Sequence, residues 1–347
     1  MELLYDPTVG MDLPKKKRHI SLWIIAAILV LVLGFGYIFF GQRIVDYFSG
    51  RDYEPTSDMA KTIKNLELTD DADLILRAVH PTMQKAEEFN QSCPNGDDDM
   101  SALGCYSPSR DRIYIYEITS EELNGIKESV LAHELLHAIY QRMNNIERTS
   151  VNKMLDEYIA NTTDSFGDYL SNYTDEQYYT ELHSVVGQRI KAEDMPSNLR
   201  EHYAKYFKDQ NAVVGYYAKY RGIFNNLSTN IDRLGSEIQT EREAIKKKRE
   251  NYQKLYAAYE AERQFYNQRL DEGYYRYHSI DAKQDYLRLE KAWQDSEDER
   301  LSLNEDINAF NIKVAEFNKY VEKNNALNSI VNSHYDNSTE LNSSSTK

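Results

Sequence analysis

From about Asn211 to residue 330 the chain can form little other than long helices. Leu227, Ile231, Leu234, Ile238, Ile245, Tyr252, Leu255 and Tyr259 follow one another at steps of 4, 3, 4, 7, 7, 3 and 4. A second run, Leu303, Ile307, Phe310, Val314, Phe317 and Val321, steps by 4, 3, 4, 3 and 4. Tyr286 and Trp293 lead into it, with polar Arg300 at the intervening position. An apolar residue every 3.5 positions draws one seam along a helix, and that seam needs a partner helix to cover it. The phase is lost in "GYYRYHSID", Gly273 to Asp281. The expectation over 211–330 is therefore a coiled-coil hairpin of two antiparallel helices, with a continuous rod, as a homodimer or with a coiled-coil partner, as the alternative. The tail, 331–347, ends in the low-complexity "NSTELNSSSTK" and reads as disordered.

The other end of the chain is constrained as strongly. Ile20 to Phe40 is a run of 21 residues without a charge, close to the roughly 20 needed to cross a bilayer core. Lys15, Lys16, Lys17 and Arg18 stand immediately before it, and only Arg43 and Arg51 follow closely. Basic residues stay on the cytoplasmic side. Residues 1–19 are thus expected in the cytoplasm, 20–41 as a single transmembrane helix, 42–65 as a polar linker, and the remainder outside the cell membrane. Trp23 and Tyr37 suit interfacial positions near its two ends. A cleaved signal peptide fits less well, because the run is long and no small-x-small site precedes "QRIVDYF".

Composition excludes one class of function. The 347 residues carry 41 Lys and Arg against 56 Asp and Glu, a formal charge of −15, and the basic residues are dispersed among acids. No nucleic-acid partner is expected from such a chain. The 28 tyrosines fall mostly in helical-looking sequence and read as amphipathic packing residues. Cys93 and Cys105 are close in sequence, in the part expected outside the cell, where a local disulfide is favoured over a metal site. Asp97, Asp98 and Asp99 between them lack the rest of a calcium loop and read as a solvated turn.

Residues 66–210 carry the chemistry. "RIYIYEIT" is a β-prone run bounded by "SPSRD" and "SEELNG". After it the pattern turns helical, in "GIKESVLAHELLHAIYQRM", then "TSVNKMLDEYIANTTDSFGDYL" capped by Thr149 or Ser150, then "TDEQYYTELHSVVGQRI" with Thr174 and Gln177 as a capping box, and "PSNLREHYAKYFKDQ". The first of these helices holds His133, Glu134 and His137. Positions four apart lie on one helix face, so the two imidazoles can reach one ion, and neutral imidazole suits zinc. A third protein ligand would leave the fourth position for water, whose proton Glu134 could take as general base.

Two glutamates fit as the third ligand. Glu157 opens an ExxxN pattern 20 residues after His137, at a distance like that in thermolysin-like gluzincins; Glu181 opens an ExxS pattern like that of other gluzincin branches. Antiparallel helices turning near 146–149 and near 171–174 would bring the first level with His137 and the second level with His133, so helix arithmetic does not separate them. The strand before the motif helix, Tyr114–Glu117, is expected to be an edge that binds a peptide substrate by β-addition.

The blocks "EEFNQSC", "GCYSPSRDRIYIYEIT", "GIKESVLAHELLHAIY" and "YTELHSVVGQR" followed by "REHYAKYF" resemble a group of membrane-anchored, gluzincin-like HExxH metallopeptidases from ultra-small bacteria of the Saccharibacteria type. Gln188 and Arg189 depart from that pattern. The resemblance covers about residues 66–210 and implies a small zincin-like domain in which Glu181 completes the metal site, with His183 as an auxiliary ligand or donor. The expected whole is α+β and mostly α: an anchor, a zinc metalloendopeptidase domain acting on protein or peptide at the cell surface, and a helical hairpin. The rival is an envelope adaptor that works through its coiled coil while the HExxH domain is inactive.

Overall fold

A computed structural model describes residues 22–94, 103–163, 166, 170, 173 and 175–333, with the backbone alone at 22, 32–40, 175 and 176. It is mostly helical, with one three-stranded sheet. In chain order the elements are α1 (Leu22–Gly50), α2 (Ser57–Asn65), α3 (Asp70–Ala78), β1 (Thr82–Gln84), α4 (Ala86–Ser92), β2 (Gly104–Ser107) and β3 (Arg112–Tyr116). Then come α5 (Ile126–Arg142), α6 (Asn145–Asn161), α7 (Asp175–Arg189), α8 (Ser197–Tyr203), α9 (Gln210–Asp271) and α10 (Ser279–Val331).

Helix α5 is the axis of the core. It enters from Gly125, whose φ of +100° a side chain would strain, and buries Val130, Leu131, Leu135, Leu136 and Ile139. Against it lies α7, through Leu182, Val185 and Val186. The two helices approach closely because position 187 is glycine: a Cβ there would stand 2.5 Å from Tyr203 Cε1 and 2.7 Å from Leu136 Cδ1. Gln188, fully buried, donates its amide to the carbonyl and hydroxyl oxygens of Ser129 at 2.9 and 3.0 Å. Helix α6 starts earlier than Thr149, because Asn144 and Glu147 form a complete capping box there. Thr174, expected to cap the next helix, lies outside the described residues.

The sheet order is β1-β3-β2, with β1 parallel and β2 antiparallel to β3. Ile113 and Ile115 face the core while Tyr114 and Tyr116 lie half-buried on the other face. Strand β3 is therefore interior, which corrects the expectation that Tyr114–Glu117 is an open edge. Its backbone groups are already used by two neighbours, and the free edges belong to β1 and β2. Cys93, at the end of α4, is bonded to Cys105 in β2.

The expected span 20–41 lies partly outside the described residues, as do 1–19, Asp97, Asp98, Asp99 and the tail beyond 333. Among the described residues no helix is long and apolar enough to cross a membrane. The helix that begins in that run does not stop at 41, however. It continues unbroken to Gly50 and docks on the core, so 42–65 is no free linker. Asp46 is buried against Arg142 at 3.0 Å, Ser49 donates to the Ala78 carbonyl at 3.1 Å, and Arg43 pairs with Asp71 at 2.6 Å. Gly50 allows the contact: a Cβ there would lie 2.8 Å from Arg77 Cβ.

Helices α9 and α10 form the antiparallel hairpin, turning at Gly273 with φ +69°. Lys248 pairs with Asp306 at 2.6 Å and Arg269 with Asp285 at 2.8 Å, two contacts of one antiparallel register. The hairpin is rooted deeper than residue 211 suggested, since Val213, Tyr220, Leu227 and Leu327 belong to the main core. Tyr286 and Trp293 are half-exposed and lie off the seam, which runs instead through Asp285 and Ser296. The seam steps from 299 to 303 to 307, two fours in succession, and that one-residue slip displaces the phase on the side of Leu303 nearer the turn.

Candidate metal centre

His133 and His137 stand one turn apart on the face of α5 that meets α7, and Glu181 projects from α7 between them. Glu181 Oε1 lies 3.3 Å from His133 Nε2, and Oε2 lies 3.3 Å from His137 Nε2. The two Nε2 atoms are 3.1 Å apart, and one ligand atom from each residue falls within 4.8 Å of the others. All three are wholly or largely buried. Two imidazole nitrogens and a carboxylate converging at such distances place lone pairs against one another unless protons on the imidazoles or a cation lie among them, and the donor set of two imidazoles and a carboxylate is one that suits zinc. This group could hold a metal ion.

The electrostatics agree with that geometry. Burial alone would raise the Glu181 carboxyl, but His133 and His137 outweigh it and hold the group well below the usual carboxylate range. His137 Nδ1 lies 3.0 Å from the Thr180 hydroxyl, so a proton on Nδ1 would leave Nε2 free as a ligand. His133 Nδ1 is buried without a hydrogen-bond partner among the described residues. Thr180, one residue before Glu181, carries no pattern in the sequence that would have marked it out.

Glu134 is buried beside the group. Burial pushes its carboxyl above the ordinary range, against the pull of His133 and His137 and a backbone hydrogen bond from Tyr106. Strand β2 presses on it: a Cβ at Gly104 would stand 2.4 Å from Val130 Cγ1 and 3.2 Å from Glu134 Oε1. Because Tyr116 N–H donates to the Leu103 carbonyl at 2.8 Å, the bonded pairs with β3 alternate from there. Gly104 and Tyr106 then turn their N–H and C=O away from β3, toward Glu134. Among the described residues the outer strand next to the site is β2.

The remaining candidates are placed elsewhere. Glu157 lies on the solvent side of α6, 3.9 Å from Lys153, and does not join the group. His183 turns away from it into the core, its Nε2 2.9 Å from His202 Nε2 and its ring stacked on Tyr203 at 5.2 Å. Burial holds the His183 imidazole well below the ordinary value, and burial likewise lowers His202 to about 4. An unfolded His202 protonates near pH 6.5, whereas the folded one resists until about 4, so stability is lost as pH falls through that window. The loss from this residue should reach about 1–3 kcal/mol. In thermal unfolding of metal-free protein, His202→Gln should show a smaller drop in midpoint between pH 7 and 5 than wild type. An unchanged drop would contradict the assignment.

Compared with family models, curated proteins and solved structures, the chain finds no match in any of the three.

Proposed function

We propose that this chain is a membrane-anchored zinc metallopeptidase that hydrolyses peptide bonds outside the cell. The observation that supports it most is the convergence of His133, His137 and Glu181 with Glu134 buried at their side. A zinc ion held by those three side chains would supply Lewis acidity for the scissile carbonyl and bring the pKa of water at an open position to about 7. The protein's own groups have separate tasks. Glu134 takes the proton of the attacking water on its carboxylate and passes it to the leaving amine nitrogen. The outer edge of β2, through Gly104 and the Tyr106 carbonyl, pairs with an extended substrate backbone and aligns it past Glu134. Thr180 holds the His137 ring through Nδ1. The charge-free run 20–40 within α1 supports the anchor, and the resemblance supports the peptidase class.

Glu134→Gln is the direct test. Turnover of an unstructured protein should fall by about 100-fold or more while zinc content stays at wild-type level. Full activity in that variant would sink the mechanism. The hairpin favours a second reading, an envelope adaptor, because residues at its turn are unusually bare: Tyr277 is 89% and Ile280 74% exposed. That reading expects stoichiometric zinc with no turnover at all.

A further inference from the structure

The last turns of α1 are amphipathic in the wrong direction for a helix lying on a water-soluble domain. Asp46, Gly50 and the half-buried Ser49 face the core. At 100° per residue, Ile44, Val45, Tyr47 and Phe48 fall on the opposite side, and each is 55–60% exposed. The polar positions 42, 43 and 46 gather on or beside the docked face, where Gln42 donates to Asp46 at 3.0 Å and Arg43 reaches Asp71. These four outward positions form an apolar face that no other element covers among the described residues, the neighbouring Arg51 alone reaching over the Phe48 ring at 5.8 Å. The face belongs to the same unbroken helix as the charge-free run, and Trp23 to Leu31 on that run are likewise exposed. One occupant would cover both, and it is lipid.

We propose that Ile44, Val45, Tyr47 and Phe48 lie in the headgroup layer of the bilayer, so that α1 clamps the metallopeptidase domain flat against the membrane surface. This rests on the membrane-anchor reading and sharpens the peptidase one. The helix leaves the hydrocarbon obliquely, its apolar face toward lipid and its Asp46 face toward the domain. Tyr47 favours the interface, its ring apolar and its hydroxyl wet, while Phe48 offers an apolar ring to the acyl side of the headgroup layer. The buried contact of Asp46 with Arg142, on the last turn of α5, fixes the angle. The same Arg142 holds Asp111, which accepts from the Tyr106 hydroxyl of β2. Anchor, motif helix and substrate edge are thus one body at a set height above the bilayer. The substrate class that follows is the membrane-proximal, extended segment of another membrane-anchored protein.

The test uses full-length protein in vesicles of phosphatidylcholine and phosphatidylglycerol. An environment-sensitive fluorophore placed through Ile44→Cys or Phe48→Cys should be quenched by lipids carrying a spin label near the headgroup. The same fluorophore at Ser57, exposed at the start of α2, should not be. Equal quenching at 48 and 57 would overturn the proposal. Protein that fails to float with vesicles would overturn the anchor reading together with it. The second arm compares one peptide sequence free in solution and tethered to lipid through short and long spacers. Short tethers should be cleaved at least several-fold faster, and Ile44→Glu with Phe48→Glu should abolish that preference while free-peptide turnover stays unchanged. No preference between tethers, with free peptide still cut, would remove the substrate class and leave the peptidase standing. No cleavage of either would remove the peptidase reading, and the quenching result would then decide the clamp alone.

Discussion

Glu181→Ala is expected to leave the purified protein without zinc under conditions in which Glu157→Ala retains a full equivalent. The reason is placement. Glu181 offers one carboxylate oxygen to each imidazole at 3.3 Å, whereas Glu157 faces solvent beside Lys153. Loss of an outer residue that merely orients a ligand costs about 10–100-fold in metal affinity, and loss of a ligand itself costs more. Zinc content by mass spectrometry after dialysis reads the difference directly. Turnover in Glu181→Ala should vanish in parallel, and added zinc should not restore it at stoichiometric concentration. Zinc retention in Glu181→Ala, with loss in Glu157→Ala, would mean that α6 rather than α7 completes the site.

The second large effect concerns Arg142. Its side chain is 7% exposed and lies 3.0 Å from Asp46 and 2.9 Å from Asp111. Arg142→Ala leaves Asp46 buried without its cation, a change that costs about 3–5 kcal/mol. Chemical denaturation should show that loss as a lower midpoint with an unaltered slope. Combining Arg142→Met with Asp46→Leu should recover most of it, since the uncompensated charge is gone. A pair worth little, with the single variant near wild type, would mean that α1 is held by its glycine contact at Gly50 and not by charge.

How much of this was legible in the residues depends on the element. The motif helix was, because its apolar period and its His133–His137 spacing both specify one face of an α-helix. The choice between Glu157 and Glu181 was not, because both helix-turn distances returned an equally good register. What separates them is which face of each helix packs on α5: α7 presents Leu182, Val185 and Val186 to it, and Glu181 stands next to Leu182. The sheet was legible only at β3. Strand β1 is three residues long, and β2 is four residues beginning with a glycine, too short for alternation to register. Without them the run "RIYIYEIT" looked like an edge. The polar stretch after the apolar run looked like a linker because Gln42, Arg43 and Asp46 interrupt it. Folded, Arg43 and Asp46 attach it to the domain and Gln42 donates to Asp46. The slip in the hairpin seam was hidden for a different reason, because Asp285 and Ser296 are seam positions occupied by polar residues.

The hairpin has a mechanical meaning that its sequence does not advertise. Between Leu227 and the turn at Gly273, 46 residues by position, it extends about 70 Å from the core at the α-helical rise. Both of its helices are seated at the near end, through Tyr220 and Leu227 on one and Leu327 on the other, and α9 rests there on both α5 and α7. It is therefore a lever whose fulcrum is the helix pair that holds His133, His137 and Glu181. A sideways pull on Tyr277 or Ile280 arrives at the root as a torque on that pair, and a small tilt between α5 and α7 changes the distance from Glu181 to both imidazoles at once.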